Sequence, residues 1–230
     1  MLELFEYQFF VRAFLAAVLA SVACGFIGTY IVSRGLVFLS GGIVHASFGG
    51  IGIAIYLGLN PIFGASVFSI VSAFAIQYAT SKSQLRNDSA IAMLWSLGMA
   101  IGIIFIYLTP GYAPNLMSYL FGNILTVSGP ELWVLFVLTI IVMGVFIGFQ
   151  YLIMFASFDE VFAQSRQLPV FFINALLLIL VAFTIVLNIK TVGIILILSL
   201  ITVPPNIAML FSKDYKNTVP GCFIWPCGHF

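Results

Sequence analysis

A single residue, His45, has the chemistry to engage a metal cation from within an otherwise apolar stretch. In Ser40-Gly41-Gly42-Ile43-Val44-His45-Ala46-Ser47-Phe48-Gly49-Gly50-Ile51-Gly52 it is the sole ionisable side chain. Neutral imidazole is the commonest ligand for zinc and similar metals, and ionisable groups inside an apolar span are costly and tend to mark pathways. A structural reading stands beside this one: a neutral imidazole hydrogen-bonded across a helix interface to a serine or a backbone carbonyl. A metal site normally takes three or four donors, so one histidine leaves both readings open. Gly42, Ala46, Gly50 and Ala54 recur every fourth residue, a small-residue stripe that lets another helix come close. Gly41, His45 and Gly49 form the adjacent stripe, with no bulky neighbour of His45 one turn away on its own helix.

Other polar residues at membrane depth are few. Asn174, Asn188 and Asn206 either line a path or hold helices together, and Asn123 and Glu131 flank the start of a later apolar run as a rim. Pro204-Pro205 is expected to break the last run, and Gly98 and Gly102 form a packing step. Cys24 reads as a small buried hydrophobe, and the spacing of Cys222, Cys227 and His229 fits no structural zinc pattern. Sequences of the type HExxH, GxSxG, a P-loop or paired intramembrane aspartates do not occur. No residue is assigned as catalytic, and ATP hydrolysis must come from a partner if transport is active.

The elements that position these residues follow from composition. Hydrophobic residues make up 63% of the 230 and charged ones 7%, a balance that a soluble domain of this size cannot bury. A net charge of +1 gives nucleic acid no basic face to bind. Apolar runs at roughly 10–32, 36–58, 61–80, 89–108, 131–154, 170–189 and 191–211 make about seven spans of bilayer length. The fold class is therefore an all-α integral membrane protein, one transmembrane domain over residues 1–211 followed by an atypical tail, 212–230. Arg34, Lys82, Arg86, Arg166, Lys213 and Lys216 fall in the odd-numbered loops, against Arg12 and Lys190 on the other side. That asymmetry puts the odd loops in the cytoplasm and the N-terminus outside.

Two long loops remain. Residues 109–130 are extracellular on this topology, uncharged, and expected to fold back onto the helices as a partial helix. Residues 155–169 are cytoplasmic, with Asp159 and Glu160 opening an amphipathic stretch and Arg166 near its end, an order that suits a helix dipole. Such a segment is either an ordinary connector or a surface that an energising partner grips.

Six collinear pieces carry a resemblance: Gly25-Phe26-Ile27-Gly28 through Arg34-Gly35-Leu36-Val37-Phe38; His45-Ala46-Ser47; Asn87-Asp88-Ser89-Ala90-Ile91; Ser118-Tyr119-Leu120-Phe121-Gly122-Asn123-Ile124-Leu125; Ser157-Phe158-Asp159-Glu160-Val161-Phe162-Ala163 with Leu168-Pro169; and Lys190-Thr191-Val192-Gly193 through Val203-Pro204-Pro205. Over residues 10–211 the chain resembles the permease subunit of bacterial zinc/manganese/iron ABC importers. The resemblance implies a homodimer in the bacterial cytoplasmic membrane, a cytoplasmic ATP-binding subunit and an extracytoplasmic metal-binding protein. It implies no covalently bound cofactor; the divalent metal is cargo. It places His45 on the metal path; Asn123 joins that path as part of the rim read from its position, and Gly41, Gly42, Ala46 and Gly50 as the packing residues read from their spacing. It makes Phe158, Asp159, Glu160, Ala163 and Arg166 the coupling surface for the ATPase.

Two departures qualify what the resemblance implies. Where this family commonly has an aspartate four residues before the histidine, this chain has Gly41, so another donor serves or the ion binds more weakly. Family members also continue with a further span, so residues 212–230 are read as a truncated or frame-shifted end. Alternatives are a permease for a metal chelate or vitamin and a non-functional remnant. A proton-driven transporter would need a mid-membrane carboxylate, and every Asp and Glu falls in a loop or at a helix end. An intramembrane enzyme lacks a catalytic pair.

Overall fold

Inside a bilayer each backbone amide and carbonyl must find its partner within the segment, so uncharged apolar runs become helices. The structure is a computed structural model that describes residues 6–82, 87–110, 121–158, 166 and 170–211. Among these the helices are α1 (Gln8–Ser33), α2 (Val37–Tyr56), α3 (Pro61–Lys82), α4 (Asn87–Leu108), α5 (Gly129–Gly148), α6 (Gln150–Phe158), α7 (Val170–Val192) and α8 (Ile194–Phe211), with a 3-10 turn at Ile124–Thr126. Six of them, α1 to α5 and α7, are long and apolar enough to cross a membrane. The expected seventh span is α8, whose 18 residues reach about 27 Å, just short of a hydrocarbon core of about 30 Å.

Three boundaries differ from those expected. The apolar run 131–154 is two helices, because the ladder stops at Phe149 and restarts at Gln150. The break before the last helix lies at Gly193, not at Asn188-Ile189-Lys190: α7 runs on to Val192, with Lys190 in its last turn. Gly193 adopts φ 85°, a left-handed conformation that side chains resist, and this ends the ladder. Pro204 and Pro205 sit inside α8 without ending it. A proline there removes one donor each, and the helix carries on around them.

The helices form two compact units, one of residues 1–35, 118–174 and 188–230, the other of residues 36–117 and 175–187. In the first, α1 packs on α5 and α8. Ile27, Tyr30 and Ile31 are fully buried, and Phe146 of α5 meets Phe26 and Tyr30 at ring-centroid distances of 5.8 and 6.4 Å. Thr139 of α5 donates to its own Leu135 carbonyl at 2.8 Å and reaches the Leu19 carbonyl of α1 at 3.4 Å. A methyl group at Gly28 would stand 3.1 Å from the Ile201 carbonyl carbon and 2.9 Å from Pro205 Cγ. Pro205 has no N–H for the Ile201 carbonyl, so α8 turns a carbonyl without its usual helical donor toward the bare backbone of α1.

In the second unit α2 packs against both α3 and α4. Asn60 starts α3 by accepting the Ile62 amide at 2.9 Å, with Pro61 as first helical residue. The window of α2 that could span a bilayer is 78% buried, against 22% for α4. A helix that is apolar all round belongs in an interior.

Candidate metal-path site

Close approach to the glycine backbone, by main chain and side chains alike, sets the geometry around His45. A Cβ on Gly98 of α4 would fall 2.5 Å from Ala46 Cα, one on Gly102 would fall 2.7 Å from the Phe48 oxygen, and one on Gly42 would fall 2.6 Å from Ile91 Cγ2. On the other side, a Cβ on Gly50 would fall 2.6 Å from Phe68 Cβ, and Gly64 of α3 stands against Gly50 and Ala54. The stripe of Gly42, Ala46, Gly50 and Ala54 therefore serves two neighbours: its first half meets α4 and its second half α3. Small residues permit this approach, and dispersion between close backbones holds it.

From Leu39 to Gly52, thirteen of fourteen residues are buried, and the exception is His45, which is half-buried. The one ionisable side chain of the stretch is thus its one accessible residue. Its Nδ1 is buried with no hydrogen-bond partner among the described residues. The expected structural alternative, a bond to a serine or carbonyl, is not formed at that nitrogen. Ser40 and Ser47 donate instead to Val37 and Val44 of their own helix, at 2.7 and 2.5 Å. An unsatisfied buried polar atom costs about 1–3 kcal/mol, so the site calls for a partner there: an acceptor if Nδ1 carries the proton, a proton donor or a cation if it does not.

Trp95 of α4 completes the surroundings, and sequence reasoning overlooked it. Its ring lies flat on the imidazole, with centroids 4.1 Å apart and planes 9° from parallel. A Cβ on Gly41 would meet Trp95 Cζ3 at 3.8 Å, so the indole extends over both Gly41 and His45. A spacing signal was present: Ile91, Trp95, Gly98 and Gly102 recur at steps of four, three and four, one face of a helix.

Asn123 belongs to the other unit. Its Oδ1 accepts the Leu125 amide at 3.2 Å, and its own amide donates to the Lys190 carbonyl at 3.1 Å. It caps the 3-10 turn and ties it to the end of α7. Gly122, with φ 67°, fits against Val192 and Gly193, where a Cβ on either glycine would strike the opposite backbone. The described part of the 109–130 loop thus docks on helix ends as expected, yet the 3-10 turn itself is not buried. Glu131 is engaged twice: it accepts the Ser128 amide at 2.9 Å and forms an ion pair with Lys190. Asn174 and Asn188 are buried, whereas Asn206 bonds its own helix through the Thr202 carbonyl at 2.8 Å.

Of the coupling residues, Phe158 ends α6 and Arg166 is an exposed turn residue, while Asp159, Glu160 and Ala163 lie outside the described residues, as does the tail 212–230. Among the described residues no three His, Cys, Asp or Glu side chains converge as a metal cage.

Six helices of bilayer length among the described residues define a polytopic membrane protein. The chain belongs to the ABC 3 transport family, whose model matches residues 6–224. It is 43% identical over 211 residues to a probable metal transport system membrane protein of Chlamydia pneumoniae, covering 89% of this chain and 71% of the relative. It is 34% identical over 211 residues to the manganese transport system membrane protein MntC of Halalkalibacterium halodurans, covering 92% and 72%. Among solved structures, PsaBC from Streptococcus pneumoniae in complex with Fab superposes with a TM-score of 0.83 at 29% identity, covering 95% of this chain and 79% of that one.

Proposed function

We infer that the chain is the membrane-spanning permease subunit of an ATP-driven ABC importer for a divalent metal ion. The observation that carries the site is the exposure pattern of α2, in which the sole break in a buried run is an imidazole with an orphaned nitrogen. Family membership supplies the transport class, and the relatives' names make manganese the first ion to test, with zinc and iron beside it.

On this reading His45 is a transient ligand and Asn123 belongs to the outer part of the route. Gly41, Gly42, Ala46 and Gly50 give the path its narrow, rigid wall. Residues 155–169, with Phe158, Asp159, Glu160, Ala163 and Arg166, press on a cytoplasmic ATPase that hydrolyses the nucleotide. An extracytoplasmic metal-binding protein delivers the ion to a homodimer of permeases whose N-termini lie outside. The basic residues of the odd loops support that orientation.

The test is uptake of manganese, zinc and iron by metal-starved cells producing the chain with its ATPase and binding protein, beside His45→Ala. Loss of even a group that supports a metal ligand costs about 10- to 100-fold in affinity or activity, and a direct ligand should cost at least that. Selective uptake of one ion, lost in His45→Ala at an unchanged membrane level, is the expected result. Equal uptake by both versions would remove His45 from the path.

A further inference from the structure

We propose that Trp95 is the positioning residue of the metal path, a plate that holds the His45 imidazole edge-on to the passing ion and thereby sets how tightly the ion is held. The proposal rests on the reading of His45 as a path ligand. It begins from a geometric fact: the two rings are stacked at 4.1 Å and 9°.

A stacked neighbour has a particular consequence for a histidine ligand. The nitrogen lone pairs lie in the ring plane, so an indole on one π-face leaves in-plane ligation open. The same indole removes a freedom the ring would otherwise have, because the χ2 torsion of histidine is broad and only two-fold. Ordering a side chain in advance is a direct route to tighter binding. Indole itself offers no lone pair to a metal, so Trp95 adds no donor.

The helix that carries the plate is itself held against α2. Gly42 against Ile91, Ala46 against Gly98 and Phe48 against Gly102 pin α2 to α4 on both sides of the stacked pair. Trp95 lies between Ile91 and Gly98 on that same face, so the backbone that carries it is fixed relative to α2, while the indole itself is 38% exposed and stays on His45 through the stack. Gly41 borders the stack: a Cβ there would touch the indole edge at 3.8 Å, an ordinary van der Waals distance. The position thus offers the ion an apolar wall, and metal recognition falls on His45 alone from this face.

The experiment uses the complete importer in metal-starved cells, with manganese(II) uptake followed across a concentration range. Trp95→Leu, Trp95→Phe and His45→Ala are compared, each normalised to the amount of chain in the membrane. Ring stacking contributes beyond area burial, and its loss in Trp95→Leu should raise KM about three- to tenfold while Vmax per molecule holds. Trp95→Phe keeps a ring and should bring KM back to within about threefold of the unmodified chain. A purely structural role gives a different pattern: lower protein levels or Vmax with KM unmoved, which overturns the proposal. So does a KM for Trp95→Leu equal to that of the unmodified chain. Should the leucine variant be missing from the membrane, Trp95→Met takes its place in the same comparison. Uptake retained by His45→Ala sinks the path reading itself; uptake lost there with KM unmoved in Trp95→Leu sinks only the role of Trp95.

Discussion

The unit around α2 and the unit around α1 hold their helices together by different means. Around α2, main chain meets main chain at Gly50 and Gly64, Gly52 and Gly102, and Ala46 and Gly98. Around α1, side chains fill the space between helices: Ile27, Tyr30 and Phe26 with Phe146, and Thr139 reaching across to Leu19. A side-chain interface adjusts to substitution by changing rotamers, whereas two apposed backbones have nothing to rotate away. The lesson is that the unit carrying His45, the imidazole proposed to meet the ion, is the one with the lesser capacity to adjust. A side chain mounted on α2 is placed by close backbone contacts with both α3 and α4.

The largest effect that can break this comparison comes from bulk at the backbone contacts. Gly98→Leu would drive a side chain into the Ala46 main chain, and Gly50→Leu one into Gly64 and Phe68. Overpacking costs about 1–3 kcal/mol even in cores that can relax, so both variants should fall at the top of that range. Thermal unfolding of the detergent-purified chain is the measurement, with membrane level as a second readout. Gly144→Ala in α5 is the control. Nothing stands within 4 Å of its added methyl, and the change should be neutral or stabilising by up to about 1 kcal/mol. Equal tolerance at Gly98 and Gly144 would mean that the backbone contacts of α2 carry no special load.

A second variant sharpens the contrast from the other side. Gly28 is where the α1 unit borrows the same device, through the Ile201 carbonyl and the Pro205 ring. Gly28→Ala should destabilise by about 1–2 kcal/mol, less than the leucine variants because only one carbon is added. Replacing Pro205 by alanine in the Gly28→Ala background should return part of that loss, since the ring is one of the two obstacles. A double-mutant cycle on unfolding midpoints reads the coupling. Simple additivity would show that the ring is not what Gly28 avoids.

Much of the architecture was legible because lipid asks little of a sequence beyond length and apolarity. The breaks at Ser33-Arg34-Gly35 and Asn60-Pro61 fell where polar residues and breakers coincide. The break after α7 misled for a physical reason: Asn188 and Lys190 look like a loop, yet Asn188 is buried in the helix and Lys190 projects from its last turn to Glu131. Only the conformation of Gly193 shows where the ladder stops. Pro204-Pro205 misled in the opposite sense, since α8 continues through both of them. His45 was visible as a lone polar residue, while its stack on Trp95 was not. A tryptophan in an apolar helix is ordinary, and the contact is made by another helix some fifty residues along the chain.

The smallest effect concerns charge. The α1 unit pairs its carboxylate and ammonium, Glu131 with Lys190, whereas the α2 unit leaves its imidazole without a hydrogen bond at Nδ1. Glu131 stands in the first turn of α5 and Lys190 in the last turn of α7, each where the helix dipole favours its sign. Both side chains keep solvent access, at 45% for Lys190 and 25% for Glu131. A pair of that kind contributes about 0.2–1 kcal/mol, less as salt rises. A cycle of Glu131→Gln, Lys190→Met and the double variant should therefore return a coupling within that range. Manganese uptake should be nearly unchanged in Glu131→Gln, because its carboxylate is already held by Lys190 and the Ser128 amide. Were uptake to collapse in Glu131→Gln with stability intact, the outer carboxylate would share the ion's route, and the division between a structural charge in one unit and a functional one in the other would fail.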